Sequence, residues 1–128
     1  MGCFEVIVLD THIWIWFNMD HPKLPAGLRE RAPEFAISVV SAWELILLVE
    51  RGRLVTGFEP AETPVKWLER YPVRVLDLDY EAATLSRTLP FDHEDPADRF
   101  IAATAFRHKA PLVTNDARLV GLPWLMKG

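Results

Sequence analysis

The chain has 128 residues, half of them hydrophobic, and its 14 Lys and Arg against 18 Asp and Glu give a formal net charge of −4. That length predicts a single domain able to bury a sizeable core without staples, and one cysteine, Cys3, excludes an internal disulfide. The acidic balance excludes an ordinary basic nucleic-acid binder, although divalent cations would reverse the local field where phosphates dock.

No stretch approaches the roughly 20 apolar residues of a membrane span. Residues 1–20 carry neither a basic n-region nor an A-x-A-like cleavage site, so no signal peptide is expected. Cys3 reads as a small buried hydrophobe, which fits a reducing cytoplasm.

The first predicted element is a strand, Val6–Leu9, whose four apolar residues suit burial on both faces. It ends on Asp10, and an acid there is costly unless something pairs with it. A short helix from Thr11 to about Phe17 follows, with Asp10 or Thr11 near its N-cap. His21 to Pro25 is a loop, because its prolines break a helix, and Pro25 at the first helical position is expected to open a second helix through Arg31. Phe35–Val39 is the second strand. Ser41 then caps a helix through about Arg51, stopped by Gly52. Pro64 to about Arg70 is another short helix, Val73–Leu76 a third strand and Tyr80–Arg87 a helix followed by Pro90. Pro96 to about Lys109 is the clearest helix, Leu112–Thr114 the fourth strand, and Pro123–Met126 a candidate edge strand.

Strands alternating with helices predict a three-layer α/β/α fold around a mostly parallel sheet of four to five strands, with right-handed crossovers. Ligands of such sheets sit beyond the carboxyl ends of the strands. Asp10 and Asp116 both fall at those ends and are predicted to meet.

Each acid also has a plain structural role open to it. Asp10 can be a helix cap. Ser41-x-x-Glu44 has the form of a capping box. With Pro96 as the first helical residue, Asp95 is the cap and Asp98 the third position, both favoured by the helix dipole. Asp116 follows Asn115 in what reads as a turn. Asp98 shares a face with Ala102 and Ala105, small residues that let the helix approach the sheet, so it ranks before Asp95 as a ligand. Carboxylates converging at one sheet edge repel unless protonated or metal-bound. Such an oxygen-rich set suits Mg²⁺ or Mn²⁺, ions that polarise phosphodiesters.

Other residues are less telling. His12, His21, His93 and His108 lack zinc spacing, and His12 and His93 read as surface or supporting groups. Trp14 and Phe17 are helix neighbours three apart, while Trp16 diverges. Either one face is core and the other partly exposed, or Trp14, Trp16 and Phe17, with Trp43, form a groove for a partner.

Four segments together carry a family pattern: Val8-Leu9-Asp10-Thr11-His12; Ser38-x-x-Ser41-x-Trp43-Glu44; His93-x-Asp95-Pro96-x-Asp98-Arg99-x-Ile101-Ala102-Ala103-Thr104-Ala105; and Leu112-Val113-Thr114-Asn115-Asp116. In order and spacing the chain resembles PIN domains of the VapC type, the toxins of bacterial toxin–antitoxin pairs. The resemblance implies a Mg²⁺- or Mn²⁺-dependent endoribonuclease that dimerises and is held inactive by a VapB-type antitoxin reaching into its acidic pocket. Its motif acids map to Asp10, Glu44, Asp98 and Asp116, with Asp95, Arg99, Thr11 and Asn115 in support. RNA affinity would then rest on metal and on local cations such as Arg51, Arg53, Arg99 and Arg118. Two alternatives stay open. A haloacid-dehalogenase-like phosphomonoesterase would want a second Asp where His12 stands. An inactive PIN-like binding module would use its acids only as caps.

Overall fold

A computed structural model of the protein describes residues 6–92 and 94–128. Cys3 and His93 lie outside the described residues. Four strands, β1 (Ile7–Leu9), β2 (Phe35–Ser38), β3 (Arg74–Leu76) and β4 (Leu112–Val113), form a parallel sheet in the order β3-β2-β1-β4. Six α-helices are described: α1 (Thr11–Asn18), α2 (Val39–Glu50), α3 (Thr63–Arg70), α4 (Tyr80–Thr88), α5 (Pro96–Arg107) and α6 (Ala117–Val120).

Parallel strands covered on both faces need continuous rather than alternating apolar sequence. Every residue of β1 and β2 is accordingly buried, while edge strand β3 exposes Arg74 and Val75. The two-residue period sorts the side chains. Val8, Ala36 and Leu112 pack with Ile101, Ala102 and Ala105 of α5. Ile7, Leu9, Ile37 and Val113 pack with Trp14 and Phe17 of α1, Leu45 of α2 and Trp67 of α3. Trp14 meets Trp67 edge to face at 5.4 Å, and Phe17 meets Phe35 at 5.1 Å. Among the described residues, no helix is long and apolar enough to cross a membrane.

From β1 the chain builds outward to β2 and β3, then returns to place β4 on the other side of β1. The order therefore reverses between β1 and β4, and the crevice at such a reversal is where open α/β sheets bind ligands. Asp10 ends β1, and Thr114 to Asp116 follow β4.

Four expectations are corrected. Ser38, not Ser41, caps α2, its Oγ accepting the Val40 N–H at 3.0 Å. The helix starts as soon as β2 ends, so Ser41 lies inside it, fully buried. No α-helix runs from Pro25 to Arg31. Gly27 at φ +82° breaks the first turn, and a 3₁₀ helix over Arg29–Glu34 takes its place. Asp116 opens a helix, α6, rather than a simple turn. Pro123–Met126 is no strand: Leu122 and Leu125 turn into the core, and the contact with β4 comes later, as a single parallel bridge from Lys127 to Leu112.

Candidate active site

A cavity of about 310 Å³ opens at the carboxyl ends of β1 and β4. Asp10, Glu44, Asp95, Asp98 and Asp116 all line it. They come from four separate places in the chain, and the fold alone brings them together.

Asp10 is 5% exposed and serves as the N-cap of α1. Its Oδ1 accepts the Thr11 N–H at 2.6 Å, and its Oδ2 accepts the Thr114 hydroxyl at 2.6 Å. Burial pushes its pKa above the usual carboxylate value. The Thr114 and Thr11 hydrogen bonds pull it back, and nearby Asp116 adds to the rise. Thr114 Oγ1 also accepts the Asp116 N–H at 3.0 Å, so one hydroxyl ties the ends of β1 and β4 together.

Glu44 projects from α2, and the Thr11 hydroxyl reaches its Oε1 at 2.5 Å. A hydroxyl has one proton. With that proton given to Glu44, Ser41 Oγ must donate to Thr11 Oγ1 across the 2.8 Å between them. Burial again raises the Glu44 pKa, opposed by the Thr11 bond and reinforced by Asp10 and Asp95.

Asp98 is the most perturbed acid, pushed up to about 8 by burial first and then by Asp95, Asp10, Asp116 and Glu44. Asp95 caps α5 through the Ala97 N–H at 3.1 Å, and Asp116 caps α6 through the Arg118 N–H at 2.9 Å. Capping and cavity lining are thus not rival roles: Asp10, Asp95 and Asp116 do both. The positive N-terminal ends of α1 and α5 lower the cost of gathering this much negative charge.

Such a donor set, all carboxylate oxygen, matches the preference of a hard cation like Mg²⁺ or Mn²⁺. Among the described residues, no three His, Cys, Asp or Glu side chains are already drawn into a metal-holding group. The acids line the walls instead, held by caps and threonines, and Asp116 is held by Arg118 as well.

The sequence matches the PIN domain family over residues 7–125. The chain belongs to the PIN domain family. Ribonuclease VapC22 of Mycobacterium tuberculosis is 33% identical to it over 119 residues, 88% of each chain. Among solved structures, VapBC2 from Rickettsia felis bound to a promoter DNA fragment is similar with a TM-score of 0.72 at 21% identity, covering 96% of this chain and 97% of that one. A toxin–antitoxin complex from Klebsiella pneumoniae is similar with a TM-score of 0.70 at 19% identity, covering 94% and 96%. At these identities the two structures speak to the fold alone.

Within this PIN domain the supporting residues divide. Thr11 orients Glu44, and Asn115 lines the acidic cavity. Arg99 does not line it. At 6% exposure it cannot be a surface cation for RNA. Its Nε donates to the Ser86 carbonyl at 2.7 Å, and its guanidinium lies 4.6 Å over the Phe91 ring, so it anchors α5 to α4. Arg51 and Arg53 are exposed just past α2, at the opposite end of that helix from Ser38, and line no part of the cavity.

The proposed aromatic groove is likewise corrected. Trp14 and Phe17 are core residues. Trp16 instead lines the acidic cavity, stacked on His21 at 5.2 Å, and His12 lines it too. Trp43, 58% exposed, borders an apolar hollow with Leu47, Pro96 and Phe100 that adjoins the acids through Glu44 and Asp95. Two residues that support the acids went unmarked as site residues in the sequence: Thr114, which bonds Asp10 directly, and Ser41, which reaches Glu44 only through Thr11. The available signal was a hydroxyl two positions before Asp116 and another three before Glu44.

Proposed function

We propose that this PIN domain is a metal-dependent endoribonuclease, the toxin of a type II toxin–antitoxin pair acting in the cytoplasm. The observation that carries the proposal is the single cavity shared by Asp10, Glu44, Asp98 and Asp116 at the β1/β4 crevice. A relative named as a ribonuclease and similar solved toxin–antitoxin structures support RNA as substrate and a VapB-type antitoxin as partner.

Asp10, Asp98, Asp116 and Glu44 would hold Mg²⁺ or Mn²⁺, with Asp95 next in line. When bound, such an ion supplies Lewis-acid stabilisation of charge developing on phosphodiester oxygens. The remaining work belongs to the chain. Thr114 and Thr11 fix the Asp10 carboxylate so that it needs little reorganisation. Thr11, backed by Ser41, does the same for Glu44. Asp98 keeps its proton near neutral pH and would have to give it up to hold a cation. A phosphomonoesterase working through an aspartyl ester would leave Glu44 and its Thr11 support without a role.

Expression in a bacterial host with and without the neighbouring antitoxin, followed by mapping of new RNA ends, tests the proposal. New 5′ ends should appear with the wild type alone and vanish with Asp10→Asn. Ends unchanged between wild type and an empty vector would refute it.

A further inference from the structure

We infer that Arg118 is a built-in counter-cation of the acidic cavity, displaced when a divalent ion binds and then turned to the substrate phosphate. This rests on the nuclease reading above and adds a role for a residue outside the acid set.

Arg118 engages Asp116 with two arms of its fork, Nε to Oδ1 at 3.1 Å and Nη2 to Oδ2 at 2.9 Å. The same Nη2 lies 3.6 Å from Asp98 Oδ2. One guanidinium therefore spans an acid at the start of α6 and an acid in the first turn of α5. An ion shared by Asp98 and Asp116 would have to take that place. Among the described residues, Arg118 is the only Lys or Arg lining the cavity.

The arrangement is suited to exchange. Arg118 is 54% exposed, so its head sits at the cavity mouth, and ion pairs this open to water are weak and easily traded. Asp116 keeps the Arg118 backbone N–H whatever the side chain does, so releasing the fork does not uncap α6. A guanidinium turned from a carboxylate presents a planar set of donors that matches phosphate in the same two-armed geometry. RNA approaching a pocket of five acids would meet this cation at its entrance.

Isothermal titration with Mn²⁺ at pH 7.5 and fluorescence anisotropy with a labelled random-sequence single-stranded RNA in Ca²⁺, its integrity checked by gel, test both halves. Arg118→Ala should bind Mn²⁺ more tightly by up to about fivefold, the upper end of what an exposed ion pair contributes. It should bind RNA at least about fivefold more weakly, as expected on losing a charge-assisted phosphate contact. Arg118→Lys, which keeps the charge but not the fork, should bring Mn²⁺ affinity back to within about twofold of wild type while leaving RNA binding weak. Movement of both affinities in one direction, or of neither, overturns the assignment, since a residue that only supports α6 would weaken both. Wild type that binds Mn²⁺ and RNA while Arg118→Ala behaves identically defeats Arg118 alone. Wild type that binds neither defeats the nuclease reading together with it. Should Arg118→Ala not fold, Arg118→Gln provides the same comparison.

Discussion

Replacing Asp98 with asparagine should stabilise the metal-free protein and abolish cleavage. The carboxyl is 13% exposed, and burial with four neighbouring acids lifts its pKa from 3.8 to about 8. Between those values the folded form holds a proton that the unfolded chain has lost. The contribution of Asp98 to stability is therefore most favourable below pH 4 and falls as pH rises toward 8. At about 1.36 kcal/mol for each pH unit in that window, the cost at pH 7 is on the order of 4 kcal/mol. Asparagine removes that cost, and because the folded acid is neutral at pH 7 it forfeits no charge–dipole interaction. A net gain of about 4 kcal/mol at pH 7 follows, on the order of a 15 °C rise in Tm for a chain this size. Urea denaturation in EDTA at pH 4, 6, 7 and 8 measures it, with the gain growing across the series from near zero at pH 4. A gain that is absent, or equal at every pH, would refute the electrostatic reasoning.

Three further outcomes are expected. Thr114→Val keeps the shape but removes the donor to Asp10 and the acceptor for the Asp116 N–H, so cleavage should fall about 10–100-fold in steady-state assays while the far-ultraviolet circular dichroism is unchanged. Mn²⁺ should raise Tm more at pH 8 than at pH 6, because below about 8 it must expel the Asp98 proton, and equal rises would contradict that competition. Arg99→Met strands the Ser86 carbonyl and loses the contact over Phe91, which should cost about 2–4 kcal/mol by urea midpoint without altering Mn²⁺ affinity.

Much of the site was legible because its acids sit where the sequence changes period. The run from Val6 to Asp10 reads as a buried strand stopped by a charge, and Pro96 marks the start of α5 beside Asp95 and Asp98. Parallel topology then carries Asp10 and Asp116 to one sheet edge. What escaped depended on tertiary context. Ser41 has capping-box spacing to Glu44, yet Ser38 takes the cap because the chain bends at the end of β2, leaving Ser41 to support Thr11. Arg99 looked like a basic group beside the acids, but it sits about 100° round the helix from Asp98 and its guanidinium reaches α4 instead. The Thr114 bond to Asp10 joins residues 104 positions apart, and no local pattern encodes such a pair. Trp14 and Phe17 went to the core because α1 lies flat on the sheet, which only the packing with Trp67 and Phe35 makes plain.

The most direct test of the central claim is RNA cleavage by purified wild type and Asp10→Asn, each with Mn²⁺, with excess EDTA, and with Mn²⁺ restored. Cleavage by wild type that stops in EDTA, returns with Mn²⁺ and is missing from a folded Asp10→Asn is the predicted result. Cleavage that survives EDTA or persists in Asp10→Asn would contradict an acidic metal site built around the end of β1.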